Sequence, residues 1–332
     1  MPAASREVHL IARPEGMPKP SDFEVVETTV PDAGEGEIQV LNLYNSIDPA
    51  TRPRLSLQPL ATPPWGFALG RVEQSRHPDH REGDIVLGMY GYRERYVSDG
   101  RGVSRIAADP SLPVSVYLHA VGGSGFVAYG GLLEIGKLQK GEQVFVSTAA
   151  GAVGSIAVQV AKLRGCYVIG STGSEEKCRW LTDELRVDAA INYKAVPIRT
   201  ALKEKAPNGI DVYFDNVGGD HLDAALPRMN PLGRIPVCGM ISAYNSAGAI
   251  SAPVTTLSNI IYNRVTIRGF VSADFMHLRD RFTTEMEGWL KDGSVKYRET
   301  IYEGIESSPA ALIGMLSGEN IGKTMVRVAA GV

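Results

Sequence analysis

The chain has 332 residues, 44% of them hydrophobic and 21% charged, and its 34 Lys and Arg against 37 Asp and Glu leave a net charge of −3. This length suits about two globular domains of roughly 150 residues each, and the near-neutral charge argues against nucleic-acid binding. The amino end carries charge without an apolar run, and no stretch of about 18 apolar residues occurs, so we expect neither a secretory signal nor a membrane span, and a cytoplasmic location.

The first third of the chain is predicted to be rich in strands. Short apolar or alternating runs are separated by Pro and Gly, and few helical periods occur before Ser115. The predicted strands of this part are 24–29, 37–43, 84–89 and 94–97.

From residue 142 on, short apolar runs alternate with helical periods, which predicts a doubly wound parallel sheet. The predicted strands are 143–147, 167–170, 189–193, 211–215, 234–238 and 266–271, and the predicted helices include 155–163, 175–185 and 275–291. The tail returns to the earlier pattern, with extended segments at 297–304 and 323–328 around a helix at 309–316. We therefore predict an α/β protein with a β-rich domain in two parts, 1–124 and 296–332, and a Rossmann domain over 125–295.

One loop of small residues indicates a nucleotide site. The segment from Val144 to Ser155 matches G-x-G-x-x-G, with Ala149, Gly151 and Gly154 in the three glycine positions. A predicted strand precedes it and a predicted helix follows, which is the context in which the motif holds a pyrophosphate on backbone N–H groups. The alternative is a glycine-rich turn that holds no ligand.

The end of the second strand of this domain indicates which dinucleotide is bound. An NAD site usually has an acidic residue about 20 residues after the glycine loop. Here the segment reads Gly170-Ser-Thr-Gly-Ser174, including Ser171, Thr172 and Gly173, and Lys177 follows it. Small hydroxyl groups and a cation suit a 2′-phosphate, so NADP(H) is the predicted cofactor. The alternative for Lys177 is a solvated surface lysine.

No metal site is predicted. Residues 1–120 contain no cysteine, and Cys166, Cys178 and Cys238 lack zinc-ligand spacing and are too few for a disulfide framework. His77 and His80 lie in a polar segment typical of a surface loop. The G-x-S-x-G nucleophile elbow and the P-loop are also missing.

Several segments together resemble the medium-chain dehydrogenase/reductases that lack zinc. More narrowly, the chain resembles the group of prostaglandin reductases (leukotriene 12-hydroxydehydrogenases), alkenal double-bond reductases and curcumin reductases. The segments, which run nearly end to end, are Arg13-Pro-Glu-Gly16, Gly34-Glu-Gly-Glu37, Asp48-Pro49, Ala149-Ala-Gly-Ala-Val-Gly-Ser155, Gly173-Ser-Glu-Glu-Lys177, Asn192-Tyr-Lys194, Phe214-Asp-Asn-Val-Gly-Gly219 and Asn320-Ile-Gly-Lys-Thr324.

The resemblance implies an architecture and a reaction. Members of this group combine a β-rich, GroES-like catalytic domain with a Rossmann domain, have their active site in a cleft between the two, and are usually homodimers. They reduce the C=C bond of α,β-unsaturated aldehydes and ketones with NADPH. An NADPH quinone reductase of the same superfamily and a non-catalytic NADPH-binding protein are the alternatives.

The resemblance also implies which residues form the site. Tyr262 resembles the tyrosine that orients the enone oxygen or relays a proton, and its alternative role is a packed ring. Besides Tyr262, the implied substrate pocket contains Ala50, Arg52 and Tyr244. The predicted cofactor contacts are Ala150, Gly151, Ala152, Val153, Gly154, Ser171, Thr172, Gly173, Lys177, Tyr193, Asn216, Cys238, Gly239, Tyr244 and Asn320. Asn216 also ends a predicted strand at the edge where doubly wound sheets bind ligands.

The chain departs from the group in several segments, which include Gly91-Tyr-Arg-Glu94 in place of a Trp-Gln pattern. The usual D-P-Y-M-R-G-R sequence reads Asp48-Pro-Ala-Thr-Arg-Pro-Arg54, so that Ala50 replaces an active-site tyrosine. Residues 54–70 are Pro-rich and match poorly. Because these segments shape the pocket in similar proteins, the sequence leaves the substrate open.

Overall fold

The computed structural model describes residues 2–246 and 253–329. In chain order its strands are β1 (Ala3–Leu10), β2 (Phe23–Val30), β3 (Ile38–Ser46), β4 (Ala68–Ser75), β5 (Ile85–Gly88), β6 (Arg95–Ser98), β7 (Val103–Arg105), β8 (Gln143–Val146), β9 (Tyr167–Thr172), β10 (Ala189–Asn192), β11 (Ile210–Phe214), β12 (Met229–Val237), β13 (Thr266–Gly269), β14 (Glu299–Glu303) and β15 (Lys323–Arg327). Its α-helices are α1 (Thr51–Arg54), α2 (Gly123–Gly130), α3 (Ala152–Leu163), α4 (Glu175–Arg179), α5 (Ile198–Lys205), α6 (Gly219–Ala225), α7 (Asn259–Asn263), α8 (Arg279–Lys291) and α9 (Ser308–Ser317). None of the helices in these ranges is long and apolar enough to cross a bilayer.

The chain forms two compact units, one made of residues up to Leu118 together with those from Glu299 on, the other of His119–Arg298. In the first unit a seven-stranded sheet has the order β14-β15-β3-β4-β5-β7, and β6 also pairs with β3. The tail strand β15 runs antiparallel to β3, with Met325 opposite Ser46. Strands β1 and β2 form a separate antiparallel pair.

A buried ion pair joins two distant segments of the first unit. The Lys323 side chain is 1% exposed, and its ammonium group lies 2.6 Å from Asp48 Oδ1. It also donates to the Ile47 carbonyl at 3.1 Å. Because a buried lysine is stable in its charged form only with partners, this pair fixes the turn after β3 against β15.

The second unit is a six-stranded parallel sheet with the order β10-β9-β8-β11-β12-β13. Numbered from β8, this is the 3-2-1-4-5-6 order of the Rossmann fold. The order reverses between β8 and β11, which pair through Val144 and Val212. Ligands bind to such sheets at the carboxyl ends of the two strands beside the reversal, which here are residues 147–151 and 215–219. The predicted α/β fold class is confirmed.

Several predicted elements have different bounds. The helix predicted over 155–163 begins at Ala152, because Gly151 is its N-cap. The helix predicted over 175–185 is α4 followed by a π-helical turn, Trp180–Glu184. Residues Ser272–Leu278, at the start of the helix predicted over 275–291, form 3-10 turns, so that α8 begins at Arg279. Strands β1, β4 and β7 were not predicted.

Candidate functional site

The turn between β8 and α3 leaves the amino end of a 12-residue helix open. Its N-cap is Gly151, so no side-chain oxygen accepts from the N–H groups of the first turn. Thr148, in the same turn, has the left-handed φ of 51°. First-turn N–H groups have no acceptor within a helix, and the helix dipole adds partial positive charge, so this end suits a pyrophosphate.

Gly154 lies where α3 comes closest to the preceding turn. A Cβ atom here would overlap the Thr148 carbonyl oxygen and lie 2.8 Å from the Ala149 Cα, so only glycine fits. Ala149 itself stands in a glycine position of the motif. Its methyl group has room because Gly170 faces it from β9, where an added Cβ would lie 2.8 Å from the Ala149 Cβ. The neighbouring strand therefore compensates for the departure from the motif.

The end of β9 supplies small polar groups and a lysine. Ser171 and Thr172 are buried as the last residues of the strand, and Ser174 caps α4 by accepting from the Lys177 N–H at 3.3 Å. The cap holds the first turn of α4, which carries Lys177, next to the end of the strand. Burial, followed by the positive charge of Lys194, lowers the pKa of Lys177 below its ordinary value. A bound anion would oppose both effects, because it stabilises the charged lysine.

The end of β10 brings an aromatic ring to the same place. Tyr193 donates its N–H to the Thr172 carbonyl at 3.1 Å, and its ring meets the His221 ring edge-on at 5.1 Å. A Cβ at Gly173 would lie 3.2 Å from the Tyr193 hydroxyl and 3.3 Å from Lys194 Cε. The structure thus brings the predicted Ser171, Thr172, Gly173, Lys177 and Tyr193 together. Sequence reasoning missed Lys194 and His221 as neighbours, although Lys194 stands in the Asn192-Tyr-Lys194 segment.

On the other side of the strand-order reversal, Asn216 follows β11. Its side-chain amide donates to the Ser147 carbonyl at 2.7 Å, and its backbone N–H donates to the Ser147 hydroxyl at 2.9 Å. These bonds tie the ends of β8 and β11 together. They also fix the amide carbonyl oxygen of Asn216, which is the group left to accept from a ligand.

Asp215 precedes Asn216 and is fully buried, and sequence reasoning did not identify it. Its Oδ1 accepts from the Tyr213 hydroxyl at 2.6 Å, from the Val217 and Gly218 N–H groups at 2.8 Å each, and from the Ser147 hydroxyl at 3.3 Å. Its Oδ2 has no hydrogen-bond partner in the described ranges. Burial raises the pKa of this carboxyl above its ordinary value, and hydrogen bonds from Gly218, Tyr213 and Val217 oppose that rise.

The residues after β12 continue the same edge. Cys238 donates its N–H to the Asp215 carbonyl at 2.8 Å, and burial with the Asp215 charge raises the pKa of its thiol to about 12. The thiol is therefore neutral near pH 7. The Tyr244 hydroxyl accepts from the Met240 N–H at 3.3 Å and lies 3.3 Å from the position that a Cβ of Gly239 would take. Tyr244 and Gly239 are thus neighbours, and their contacts with a cofactor stay predictions.

The predicted catalytic residue stands apart from this network. Tyr262 lies on α7, and 79% of it is exposed. The chain joining Tyr244 to α7 includes residues outside the described ranges. The role of Tyr262 stays a prediction.

The predicted site residues of the first unit have structural partners. The Arg52 guanidinium is buried and donates to the Gly16 carbonyl at 2.6 and 3.1 Å and to the Pro14 carbonyl at 3.2 Å. Burial lowers the pKa of Arg52, and the charge of Asp22 opposes this. Asn320 donates its side-chain amide to the Gly322 carbonyl at 2.8 Å. These bonds show how the side chains are held, and their roles toward a ligand stay predictions.

Ala50, the remaining predicted pocket residue, is partly exposed. It precedes α1, and its carbonyl accepts from the Arg54 guanidinium at 3.0 Å. The same guanidinium stacks on the Trp65 ring, 4.0 Å from its centroid. Over residues 2–246 and 253–329, no group of three or more His, Cys, Asp and Glu side chains could hold a metal ion.

Comparison with known proteins identifies two family models. The model described as the N-terminal domain of oxidoreductase matches residues 6–106. The model described as zinc-binding dehydrogenase matches residues 152–290. The two matches cover the β-rich part and most of the Rossmann part, respectively.

Relatives match over nearly the whole chain. The NADPH-dependent curcumin reductase of Escherichia coli is 38% identical over 331 residues, which is 96% of this chain and 96% of the relative. The NADP(+)-dependent 2-alkenal reductase of Nicotiana tabacum is 40% identical, with 94% of each chain covered. The crystal structure of CurA from Vibrio vulnificus in complex with NADPH has a TM-score of 0.91 and 36% identity, covering 98% of this chain and 100% of that one.

Proposed function

The chain belongs to the zinc-independent medium-chain dehydrogenase/reductases, in the NADPH-dependent group of curcumin, prostaglandin and 2-alkenal reductases, and we propose that it reduces the C=C bond of α,β-unsaturated ketones and aldehydes. The observation that carries the proposal is the set of groups at the carboxyl ends of the strands in the Rossmann sheet. Helix α3, which begins after Gly151, has no side-chain cap, and its amino end lies next to the end of β9. Lys177 follows that strand, where an NAD site has an acidic residue. The substrate class is supported by the similarity over nearly the full length to reductases of that chemistry.

The residues of the second unit fit NADP(H). The amino end of α3 would bind the pyrophosphate through its N–H groups, and Gly154 permits the close packing of this helix on the turn after β8. Lys177 and Tyr193 bind the 2′-phosphate, together with the hydroxyl groups of Ser171 and Thr172. Asn216 presents its carbonyl oxygen on the nicotinamide side, because its amide nitrogen is already bonded to Ser147.

The reaction needs a hydride donor and a group that stabilises an oxyanion. When bound, NADPH supplies the hydride, which goes to the β-carbon of the enone and leaves an enolate. The Tyr262 hydroxyl donates a hydrogen bond to the enolate oxygen, and Tyr262 or water supplies the proton to the α-carbon. Cys238 takes no proton in this scheme, because its thiol stays neutral.

A second copy of the chain is proposed to cover the outer edge of β13. This strand ends the six-stranded order, and over the described ranges its only partner strand is β12. Around it lie exposed apolar side chains, with Ile261 75% and Val271 63% exposed. An open strand edge beside apolar side chains is an association surface, and a homodimer covers it in both copies.

A substrate panel tests the reaction. Oxidation of NADPH is followed with enals, cyclic and acyclic enones, cinnamyl compounds and quinones, and the products are analysed for the position of the new C–H bonds. We expect turnover of enals and enones with the carbonyl group retained. Turnover of quinones alone would establish the quinone reductase instead, and NADPH binding without any turnover would establish the non-catalytic protein.

Lys177→Ala tests the phosphate site. Loss of a charge-assisted contact of about 1.5–3 kcal/mol should weaken NADPH binding by about 10- to 100-fold and leave NADH binding nearly unchanged. Dissociation constants from calorimetry provide the measurement. Lys203→Ala, which removes an exposed lysine of α5, is the matched control and should change neither constant. Equal weakening of NADPH and NADH in Lys177→Ala contradicts the assignment.

Tyr262→Phe tests the oxyanion role. Removing the hydroxyl should lower kcat by about 10²-fold, as for other proton or oxyanion groups, while the dissociation constant of NADPH stays the same. Tyr167→Phe, another partly exposed tyrosine, serves as the control. An unchanged kcat in Tyr262→Phe would show that this ring has only a packing role.

The dimer is tested by the mass in solution. Light scattering should give twice 35.7 kDa for the wild type, and Ile261→Lys should shift the protein toward the monomer. Leu57→Lys, which adds the same charge at an 87% exposed residue of the other unit, should leave the mass at that of the dimer. A monomeric wild type at micromolar concentration contradicts the proposal.

A further inference from the structure

The carboxylate of Asp215 is bonded on one side only. All four of its hydrogen bonds go to Oδ1, and Oδ2 has none in the described part of the chain. The side-chain carbonyl of an asparagine could accept the same four bonds. The local fold therefore uses one oxygen atom of this residue, and the second oxygen has no hydrogen-bond partner in the described part of the chain.

A charge without a counter-ion is costly at this position. Asp215 is 0% exposed, and none of the described Lys and Arg side chains forms an ion pair with it. Burying an unpaired charge is unfavourable even after the surroundings relax. Asparagine would give the same hydrogen bonds without that cost. The charge of His221 opposes the effect of burial on the Asp215 pKa only after the hydrogen bonds do, so the carboxylate points to a further partner.

The sheet indicates which part of the cofactor comes here. Lys177 and Tyr193 mark the adenosine end at β9 and β10, and the α3 terminus after β8 marks the pyrophosphate. A dinucleotide extends across the strand-order reversal of such a sheet. The remaining half, which carries the nicotinamide, therefore continues over the ends of β11 and β12, beside which Asp215 and Cys238 lie.

The two redox forms of the nicotinamide ring differ in charge. The oxidised ring is a cation and the reduced ring is neutral, so a buried carboxylate nearby attracts the oxidised form alone. We propose that the negative charge of Asp215 strengthens the binding of NADP⁺ relative to NADPH, and thereby favours hydride departure from the reduced cofactor. This inference rests on the proposed NADP(H) function.

The test compares three ligands on two variants. Dissociation constants of NADP⁺, NADPH and adenosine 2′,5′-bisphosphate are measured by calorimetry on the full chain. Asp215→Asn keeps the acceptor oxygen and removes the charge. It should weaken the binding of NADP⁺ about tenfold relative to that of NADPH. The binding of the bisphosphate, which has no nicotinamide, should stay unchanged. Equal changes for NADP⁺ and NADPH would overturn the proposal.

Tyr213→Phe is the matched control in the same network. It removes a hydroxyl that donates to the same Oδ1 but leaves the carboxylate in place. It should lower the midpoint of thermal unfolding while the ratio of NADP⁺ to NADPH affinity stays at the wild-type value. A ratio that moves in Tyr213→Phe as far as in Asp215→Asn would assign the effect to network geometry, and the charge proposal would fail. A wild type that binds none of the three ligands would instead refute the proposed function.

A pH series on the wild type keeps the proposal testable if Asp215→Asn does not fold. The titratable groups around the carboxylate are Tyr213 on β11, Cys238 after β12 and His221 on α6, and Asp220 on α6 acts on Tyr213 and His221. Burial raises the pKa of Tyr213 and of Cys238, so both stay neutral in acid. Protonation of Asp215 at low pH should weaken the binding of NADP⁺ relative to that of NADPH.

One variant each distinguishes the contributions of His221 and Asp220 from the effect of Asp215 protonation. Protonation of His221 would act in the same direction, so the series is repeated with His221→Gln. The hydrogen bond with His221 is the largest of the effects that lower the pKa of the Asp220 carboxyl. The Asp220→Asn variant shows how much of the pH dependence of the affinity ratio comes from this carboxyl. A ratio in His221→Gln that stays constant down to the pH of acid unfolding would overturn the proposal.

Discussion

The close packing of α3 against the turn that follows β8 is the constraint on which the nucleotide site depends. Only a hydrogen atom fits at position 154, since any larger group would meet the Thr148 carbonyl oxygen and the Ala149 backbone. This contact places the amino end of the helix at the edge where the strand order reverses. The ends of β9, β10, β11 and β12 meet the same edge because all strands of the sheet run parallel. One steric requirement thus determines where the anion-binding N–H groups stand relative to every other group of the site.

The charges along this edge change sign in an ordered way. Lys177 and Lys194 stand at the ends of β9 and β10, the positive end of the α3 dipole follows at β8, and the Asp215 carboxylate stands at the end of β11. An oxidised NADP molecule carries the opposite sequence, with a phosphate, a pyrophosphate and a cationic ring. With the cofactor bound as proposed, complementarity of this kind would set the direction of the dinucleotide and would also separate its two redox forms.

The second unit could be predicted from the sequence much better than the first. Strands buried on both faces read as short apolar runs, and the helices between them have their own period, so the fold class and the strands from β8 to β13 were recognisable. Strand β4 was not, because Gly70, Arg71 and Glu73 interrupt its apolar pattern. The glycine loop was predictable because its residue types are imposed by steric contact. The one-sided bonding of Asp215 was not, since its four donors, one of them on the distant Ser147, meet the same oxygen atom only in the folded chain.

The segment around Ala50 shows why a substitution can change a pocket without changing the fold. Asp48 is held by the buried ammonium group of Lys323, and Arg52 is held by the carbonyls of Pro14 and Gly16. Two buried charges therefore fix the backbone on both sides of position 50. The resemblance implies a tyrosine at position 50, so alanine would remove a ring and a hydroxyl while the backbone stays anchored. For a substrate bound beside position 50 we expect more volume and one donor fewer, which favours bulkier ligands that find their hydrogen bond elsewhere.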